Sequence, residues 1–560
     1  MRIKWIPRKH KNKTYKYPFI VHSFRNKDGK PRDKIFANLH GVPQKEIEAI
    51  DLALRSSSNG NEPNISIDKI KFNSSIEMGP AWAILSLMEQ LGIMEELGRV
   101  DSISQTALKA TIIDRVINPK PFSTQALYRL FDQSATRRLL NDPVKGSLNK
   151  WYVSFEKIYE KQMEIQKSLF KRNHEEGGRI ILYDITSSYF EGHQCPLAKY
   201  GYNRDGKKGK MQIVFGVITD EKGQPIAVKV FNGNTKDETT VINQIKELRD
   251  EFGIEELVFV GDRGMITSHN LNTLKTEDYS EWLRYITAIK RSDMMDMVEN
   301  ETHPIQIGLF DKDQLVEVCE KNIRYVLCHN PLKKEEDALV RQRLIDKTEA
   351  KLLSIQKQVA TGRLKNKDKI AKRLYTWINK WNVGRFFEVN YDEAEFSYTI
   401  KEEEIKRYSN LDGCYVITST LDKGTSNADE LLSRYKSLSL VEQVFRTMKT
   451  TDINVRPIRK WNEERVKGYI FVCMLAYLII WKSRQKLSDF LVRDPKTKEC
   501  IGGSLKEIWE ALKSVQLGCF QFGPIIREKI STIGAYQKQI LKALDANITS
   551  ASTRILSLRN

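Results

Sequence analysis

The pattern of polar and hydrophobic positions over the first forty residues predicts strands. The strand candidates are residues 15–24 and 34–39, and the Asp28-Gly29 dipeptide between them is typical of a hairpin turn. The Ser-, Asn- and Gly-rich stretch 56–64 then predicts a loop or linker. We therefore expect a β-rich N-terminal region that ends near residue 70.

From residue 77 to about residue 170 the hydrophobic positions recur at helical spacing. They form two apolar stripes, one of Ile84, Leu85, Met88 and Leu91 and the other of Leu108, Ile112, Ile113 and Val116. Within this region, Ser123 to Asn141 is compatible with a helix-turn-helix, and equally with ordinary packing in a helical bundle. We favour the packing.

After Gly177-Gly178 the pattern changes to short apolar runs that are typical of buried strands. Strands are predicted over 179–183, 211–219, 226–231 and 257–260, with a helix over 238–252 before the last of them. The order is therefore strand, strand, strand, helix, strand. Asp184 ends the first of these strands, and Asp262 follows the fourth.

The next segment, 294–427, mixes strand and helix signals. Strand candidates are 315–318, 323–328, 386–389, 397–400 and 414–418, and a charged helix is predicted over 335–359. Helices resume over 428–448 and 463–487, and residues 491–560 have a helical and basic character. The apolar run Tyr469 to Ile480 is shorter than the roughly 20 residues of a membrane-spanning helix, so we interpret it as a buried helix.

Length and charge narrow the class of protein. The 560 residues predict about two to four domains. The formal net charge of +19 favours a polyanionic partner, either nucleic acid or an anionic membrane surface, over a merely well-solvated surface. Lys and Arg concentrate in two stretches, 1–41 and 351–385, as expected for phosphate contacts. The loosely spaced cysteines predict a reducing compartment and argue against a zinc site or disulfide framework.

The two aspartates suggest chemistry on phosphodiesters. Two Mg²⁺ ions about 4 Å apart can activate an attacking oxygen and stabilise a leaving one, and they prefer a few carboxylate ligands on a rigid scaffold. The predicted strand order can bring the strands of Asp184 and Asp262 side by side. The alternative is that each aspartate only caps the turn or helix that follows it.

A third carboxylate, Glu442, lies in the predicted helix 428–448. At about 100° per residue, Leu438, Val441, Phe445 and Met448 form an apolar stripe. Tyr435, Glu442 and Lys449 then fall on nearly one line beside that stripe, with Arg446 next to them. The alternative is a solvated helix face with a Glu442–Arg446 pair, which contributes only a few tenths of a kcal/mol.

These segments together resemble the insertion-sequence DDE transposases that carry a β-rich insertion domain and a Tyr-Arg-Glu-Lys signature. The resemblance rests on Leu182-Tyr183-Asp184-Ile185-Thr186-Ser187, on Gly261-Asp262-Arg263-Gly264-Met265, on Arg456-Pro457-Ile458 and on the spacing of Tyr435, Glu442 and Lys449. It implies that Asp184, Asp262 and Glu442 bind two Mg²⁺ or Mn²⁺ ions. It also implies that Tyr435 and Lys449 contact the DNA backbone near the cleaved end.

One position departs from the signature. Leu438 stands where the family has its Arg, so Arg434, Lys436 or Arg446 must supply that charge, and Arg446 lies nearest the line. Further candidate DNA contacts are Arg263 and a Gly- and Lys-rich loop over 199–210 with Lys207, Lys208 and Lys210, although this loop is equally compatible with a solvated hairpin. Trp377, among cations, suits a base displaced from the stack, or else belongs to a hydrophobic core.

The fold class that follows is α/β. A ribonuclease-H-like core over 176–293 and 428–490 is interrupted by a β-rich insertion domain over 294–427. A basic β region (1–70) and a helical region (71–175) that could bind the DNA end precede the core, and a helical region (491–560) follows it. Expected partners are double-stranded transposon ends and target DNA, with a homodimer on DNA and no membrane. The implied location is the prokaryotic cytoplasm, at the nucleoid.

The expected activity is cleavage at transposon ends followed by attack of the freed 3′-hydroxyl on target DNA. Two alternatives remain at this level. One is a metal-dependent nuclease that hydrolyses without joining, and the other is a catalytically inactive DNA-binding descendant. The presence of all three carboxylates argues against the second alternative.

Overall fold

The structure is a computed structural model of the chain. It describes residues 1–10, 13–26, 28–58, 70–140, 142–174, 180–202, 205–207, 209–236, 239–254, 256–262, 265, 270, 282–299, 315–320, 322–381, 383–493, 500–522 and 525–546. The predicted contact residues Lys208 and Arg263 therefore lie outside the described residues.

Three of the predicted helices, those over 238–252, 335–359 and 463–487, begin and end within four residues of the predicted bounds. The α-helices are α1 Gln44–Ser58, α2 Gly79–Gln90, α3 Ile93–Glu96, α4 Ser102–Ile117, α5 Thr124–Leu130, α6 Ala135–Leu139, α7 Leu148–Glu160, α8 Gln162–Asn173, α9 Val241–Phe252, α10 Arg291–Glu299, α11 Pro331–Ala360, α12 Lys367–Lys380, α13 Glu402–Ser409, α14 Ala428–Lys436, α15 Leu438–Arg446, α16 Glu463–Lys486, α17 Leu505–Leu512 and α18 Ala535–Ala543.

The strands include all those predicted between residues 179 and 260. They are β1 Arg2–His10, β2 Lys13–Arg25, β3 Pro31–Asn38, β4 Ile70–Glu77, β5 Ile180–Tyr189, β6 Gln212–Asp220, β7 Pro225–Phe231, β8 Leu257–Val260, β9 Leu283–Ala288, β10 Leu315–Glu320, β11 Ile323–His329, β12 Phe387–Tyr391, β13 Phe396–Ile400, β14 Cys414–Ser419, β15 Val492–Arg493, β16 Cys500–Gly502, β17 Gln516–Phe522 and β18 Ile525–Ile530.

The chain divides into two compact units. Unit 1 comprises Met1–Ser86, Leu130–Asn141 and Leu487–Asn560, and unit 2 comprises Leu87–Arg129 and Asp142–Lys486. The N-terminal and C-terminal regions thus belong to one unit. All three proposed catalytic carboxylates lie in unit 2.

Unit 2 is built on an eight-stranded mixed sheet in the order β10-β11-β14-β9-β8-β5-β6-β7. Strands β5, β6 and β7 form an antiparallel meander, whereas β8 and β9 run parallel to β5. The prediction that the first and fourth strands of this region are neighbours is therefore confirmed. One face of these strands packs in a core with α9, which contributes Val241, Ile245 and Leu248.

The segment 294–427 does not form a separate β-rich body. Three of its strands, β10, β11 and β14, extend the central sheet, because β14 pairs with β9. Among the described strands of this segment, the hairpin of β12 and β13 lies apart, and it packs with α11 and α12 in a hydrophobic cluster of its own. The segment is richer in helix than the sequence predicted, because α12 and α13 were not predicted.

The C-terminal region also departs from the prediction. It is not helical throughout, because β17 and β18 form a three-stranded antiparallel sheet with β4, in the order β18-β17-β4. Strand β17 is the central strand of this sheet and pairs with both of the others. Its pairing partner β4 lies more than four hundred residues earlier in the chain.

The predicted buried helix around Tyr469 to Ile480 is confirmed, within the longer α16. By length and composition α16 is the single described helix that could cross a membrane, with a mean hydropathy of 1.4 over its most apolar window. However, 83% of that window is buried inside the protein. Helix α16 packs against α4 and α7, as a core helix does.

Candidate active site

Asp184 lies on β5, and Asp262 follows the end of the neighbouring parallel strand β8. In the register of β5 and β8, Leu182 pairs with Val260, and each aspartate is two residues beyond that pair. The N–H of Gly261 still donates to the carbonyl of Ile286, which keeps this part of the chain beside β9 up to the residue before Asp262. Level residues on adjacent parallel strands project to the same face about 5 Å apart, so the register is compatible with a meeting of the two carboxylates if the chain continues as a strand from Val260 to Asp262.

Asp184 is not at the end of its strand, as the sequence predicted, but in the middle of it. Strand β5 continues to Tyr189 and stays paired with β6 along this length, with Asp184 opposite Val217. The side chain is half-buried between buried neighbours, and its Oδ1 accepts a hydrogen bond of 2.7 Å from the N–H of Ile185. The carboxylate therefore stands on a continuous, rigid strand rather than on a turn.

Glu442 lies on α15, which packs across β5 and β6. Val441, Val444 and Phe445 face the sheet and are buried, whereas Glu442 is exposed. The ring of Phe445 lies 5.9 Å from that of Phe215, which is paired with Thr186 on β5. The helix that carries the third carboxylate therefore packs on the sheet at the level of Thr186, which is two residues from Asp184 and on the same face.

The three carboxylates are not assembled into a finished ligand set. Among the described residues, no group of three His, Cys, Asp or Glu side chains is placed to hold a metal ion. The strand register relates the two aspartates to each other, whereas the exposed Glu442 lies on helix α15.

The helix predicted over 428–448 is interrupted twice. Helix α14 ends at Lys436 and α15 begins at Leu438, so Tyr435 and Glu442 belong to different helices. After Arg446 the backbone widens into a π-helical turn, Thr447–Thr451. The predicted line of Tyr435, Glu442 and Lys449 on one helix face is therefore wrong, because each break changes the phase: Tyr435 is half-buried, Glu442 exposed and Lys449 buried.

The π-helical turn directs Lys449 toward the strand of Asp184. Its Nζ donates a 2.9 Å hydrogen bond to Oγ1 of Thr186, which lies two residues after Asp184 and so on the same face of β5. The same Nζ lies 2.7 Å from Oδ1 of Asp205, and the Lys449 residue is only 9% exposed. π-helical turns occur frequently at functional sites, and this one places a cation at Thr186, two residues from Asp184.

Asp205 is a functional candidate that the sequence reading missed. Its Oδ1 also pairs with Arg456 at 2.8 Å, and its Oδ2 accepts from the N–H of Tyr189 at 3.1 Å. The side chain is only 2% exposed. One signal was present in the sequence: Asp205 is the single acidic residue between Lys199 and Lys210.

The segment Arg456-Pro457-Ile458, which carries part of the resemblance, lies at the end of β5. Ile458 bridges to Phe190, and the carbonyl of Ile458 accepts a 2.9 Å hydrogen bond from the N–H of Glu191. Arg456 reaches Asp205, as described above. The loop after the π-helical turn is therefore held against the strand of Asp184 at both ends.

The remaining predicted contact residues are dispersed. Arg446, Lys207 and Lys210 are exposed, and Leu438 is half-buried. Trp377 is half-buried against the hydrophobic cluster of the β12–β13 hairpin, with its ring 5.8 Å from that of Trp381 and the ammonium groups of Lys351 and Lys380 within 5 Å. These contacts support the interpretation that Trp377 belongs to a hydrophobic core.

Comparison with known proteins adds a family to this geometry. Residues 175–479 match the model described as transposase DDE domain, and residues 3–64 match the IS1634 family transposase N-terminal domain. No curated protein matches the chain significantly.

Two solved structures with partial similarity are both transposases. One is the piggyBac transposase synaptic complex with hairpin DNA, with 11% identity, a TM-score of 0.36 and coverage of 84% of this chain and 82% of that one. The other is the Mos1 transposase paired-end complex with the left transposon end, with 15% identity, a TM-score of 0.14 and coverage of 46% and 70%.

Proposed function

Since the chain belongs to the DDE transposase family, we propose that Asp184, Asp262 and Glu442 are the three carboxylates of its catalytic centre. The observation that supports this assignment is the register of β5 and β8, in which Asp184 and Asp262 each follow the pair Leu182–Val260 by two residues. The chain is an insertion-sequence DNA transposase, an enzyme that cleaves DNA and transfers the cleaved strand.

Divalent metal ions accompany the DDE domain, and the donor set suits two Mg²⁺ or Mn²⁺ ions. Carboxylate oxygens are the hard ligands that these ions prefer, and a few carboxylates leave positions open for water and phosphate. Bound there, two such ions would activate the attacking oxygen and stabilise the leaving 3′-oxygen. Asp184 and Asp262 supply the fixed part of the set, and Glu442 completes it from α15.

The order β7-β6-β5-β8-β9, an antiparallel meander followed by two parallel strands, supports a ribonuclease-H-like core. We assign that core to residues 176–293 and 428–490, with 294–427 inserted between its two parts. In this arrangement the insertion shares the central sheet through β10, β11 and β14 instead of standing on its own.

DNA would pass over the face that carries the two aspartates. Lys449 and Arg446 lie on or next to α15, and Tyr435 lies on α14. These side chains, with Arg263, Lys207, Lys208, Lys210 and Trp377, form the proposed set of contacts. Leu438 stands at the position where the family's signature has an Arg, and the exposed Arg446 is the residue that we propose supplies the missing positive charge. Because two transposon ends are joined in one reaction, we expect a homodimer on DNA.

Selection of bound DNA from random fragments, followed by a cleavage assay on the selected ends, tests this function. We expect Mg²⁺-dependent nicking at a fixed position and joining of the freed 3′-hydroxyl to a second duplex. Cleavage without any joined product would instead indicate a nuclease.

A further inference from the structure

The sheet of β1, β2 and β3 has one partly covered face, and its opposite face is exposed at His22, at Phe24 and along β3. Helix α1 packs against β1, and Phe19 and Val21 are buried on the covered face. Their pairing partners on β1, Lys4 and Arg2, share that face, and both pair with Asp33 on β3. Asp33 is the only acidic residue of the three strands, so the sheet keeps its single carboxylate on the covered face.

The opposite face carries exposed rings and cations. Alternation along the strands places Trp5, His22 and Phe24 there, and pairing places Lys34 opposite His22 and Arg32 opposite Phe24. Phe36, next to a register shift, joins them: its ring lies 6.2 Å from that of His22 and 5.6 Å from Nζ of Lys34. We call these six residues the basic aromatic face.

Three large aromatic side chains on this face are exposed to solvent. Trp5, Phe24 and Phe36 are 42%, 46% and 54% exposed. Clustered exposed hydrophobic side chains typically mark an interaction surface. Because the neighbouring charges on this face are all cationic, the complementary partner is a polyanion.

We propose that the basic aromatic face binds duplex DNA through the major groove. The groove is about 12 Å wide and admits a two-stranded β-ribbon, and β2 and β3 form such a ribbon that carries five of the six residues. Arg32 and Lys34 would contact phosphates or guanine edges, and the rings would contact thymine methyl groups. This contact rests on the DNA-transposition function, but it is independent of the three carboxylates because it lies in the other unit.

Binding of the full chain to a fluorescent 30-base-pair duplex of random sequence, in EDTA and over a series of KCl concentrations, tests the proposal. Lys34→Ala should weaken binding about tenfold and reduce the slope of log K against log salt by about 1. The matched control is Lys45→Ala, which removes the same charge from an exposed position on α1. Its effect should be at least threefold smaller.

The rings are tested separately. The double variant Trp5→Ala/Phe36→Ala should lose about tenfold in affinity without a change in salt slope, since it removes no charge. Tyr15→Ala, an exposed ring paired with Arg8 on the other face, is the control and should bind as the unaltered chain does. Lys34→Glu is a further single variant at the same solvent-exposed position. Unchanged thermal unfolding shows that each variant folds.

Three results would overturn the proposal. In the first, the control and face variants lose the same affinity for DNA. In the second, the matching single strand binds more tightly than the duplex, and the face variants affect only the single strand. In the third, the face variants lose binding to anionic phospholipid vesicles while their binding to DNA is unchanged. None of them bears on the carboxylates. If the catalytic assignment is wrong, Asp184→Asn still cleaves while the binding results stand.

Discussion

The Nζ atom of Lys449 lies 2.7 Å from Oδ1 of Asp205, and the carboxylate that receives it is almost fully buried. Arg456 shares the same oxygen atom, so one carboxylate holds two cations at the end of the strand that carries Asp184. A buried carboxylate is costly unless it is paired and hydrogen-bonded, and here both conditions are met. The signature lysine is therefore fixed by an acidic residue outside the signature.

Replacing Asp205 with Asn should destabilise the protein and slow cleavage. The substitution leaves Lys449 and Arg456 without their counter-charge, which for buried pairs costs about 3 kcal/mol. Urea unfolding of unit 2, followed by tryptophan fluorescence, measures the loss. Glu164→Gln is the matched control in the same unit, since Glu164 also pairs with two cations, Lys161 and Arg99, but on exposed side chains, and its expected loss is much smaller. Equal losses for the two variants would refute a special role for Asp205.

Gly468 on α16 allows the close approach of α7. A Cβ atom at Gly468 would overlap the backbone carbonyl oxygen of Phe155, and the backbone on both sides is held in helices. Gly468→Ala should therefore lose about 2 kcal/mol of stability despite the better helix propensity of Ala. Gly424→Ala, where nothing lies within 4 Å, should leave the melting temperature unchanged. A rise in the melting temperature of Gly468→Ala would show that the two helices are not in this contact.

Lys460 makes the stability of the fold depend on pH. Its ammonium group donates to Oγ1 of Thr124 and lies over the rings of Tyr152, Phe155 and Tyr469. Burial, reinforced by the positive charge of Arg115, lowers the pKa of Lys460 to about 7. Below pH 7 the amine is charged in both the folded and unfolded states. Between pH 7 and roughly 10.5 only the unfolded state holds the proton, so stability rises with pH.

Chemical denaturation at pH 7 and pH 9.5 measures this linkage. The unaltered chain should gain about 3 kcal/mol from this group over the interval. Lys460→Met should lack that gain, whereas Lys150→Met, at an exposed position, should retain it. The same pH dependence in the Lys460→Met variant as in the unaltered chain would rule out a buried, readily deprotonated amine.

Local patterns were sufficient for the elements around the two aspartates. Short apolar runs predicted β6, β7 and β8 to within a residue or two, and the order of elements predicted that β5 and β8 are neighbours. The end of β5 was placed too early because Asp184 looks like a strand terminator in isolation. Pairing with β6, which the local sequence does not show, carries the strand through Asp184 to Tyr189.

Long-range pairing and helix phase account for most of the other differences. Strand β17 finds its partner β4 at the far end of the chain, so no local pattern distinguishes it from a helix of mixed polarity. Likewise, the position of Lys449 depends on a break at Ser437 and on a π-helical turn, and an ideal repeat of 3.6 residues misses both. Asp205 was missed because its role exists only where three distant segments meet.

The most direct test of the catalytic assignment is single-turnover cleavage of a selected transposon-end duplex with Mg²⁺. Asp184→Asn, Asp262→Asn and Glu442→Gln should each reduce the rate by at least about a thousandfold while duplex binding in EDTA persists. Glu221→Gln, in the exposed turn after β6, should cleave normally. Chelation of Mg²⁺ should stop the unaltered enzyme, and its return should restore cleavage. Normal cleavage by any one of the three carboxylate variants would contradict the assignment.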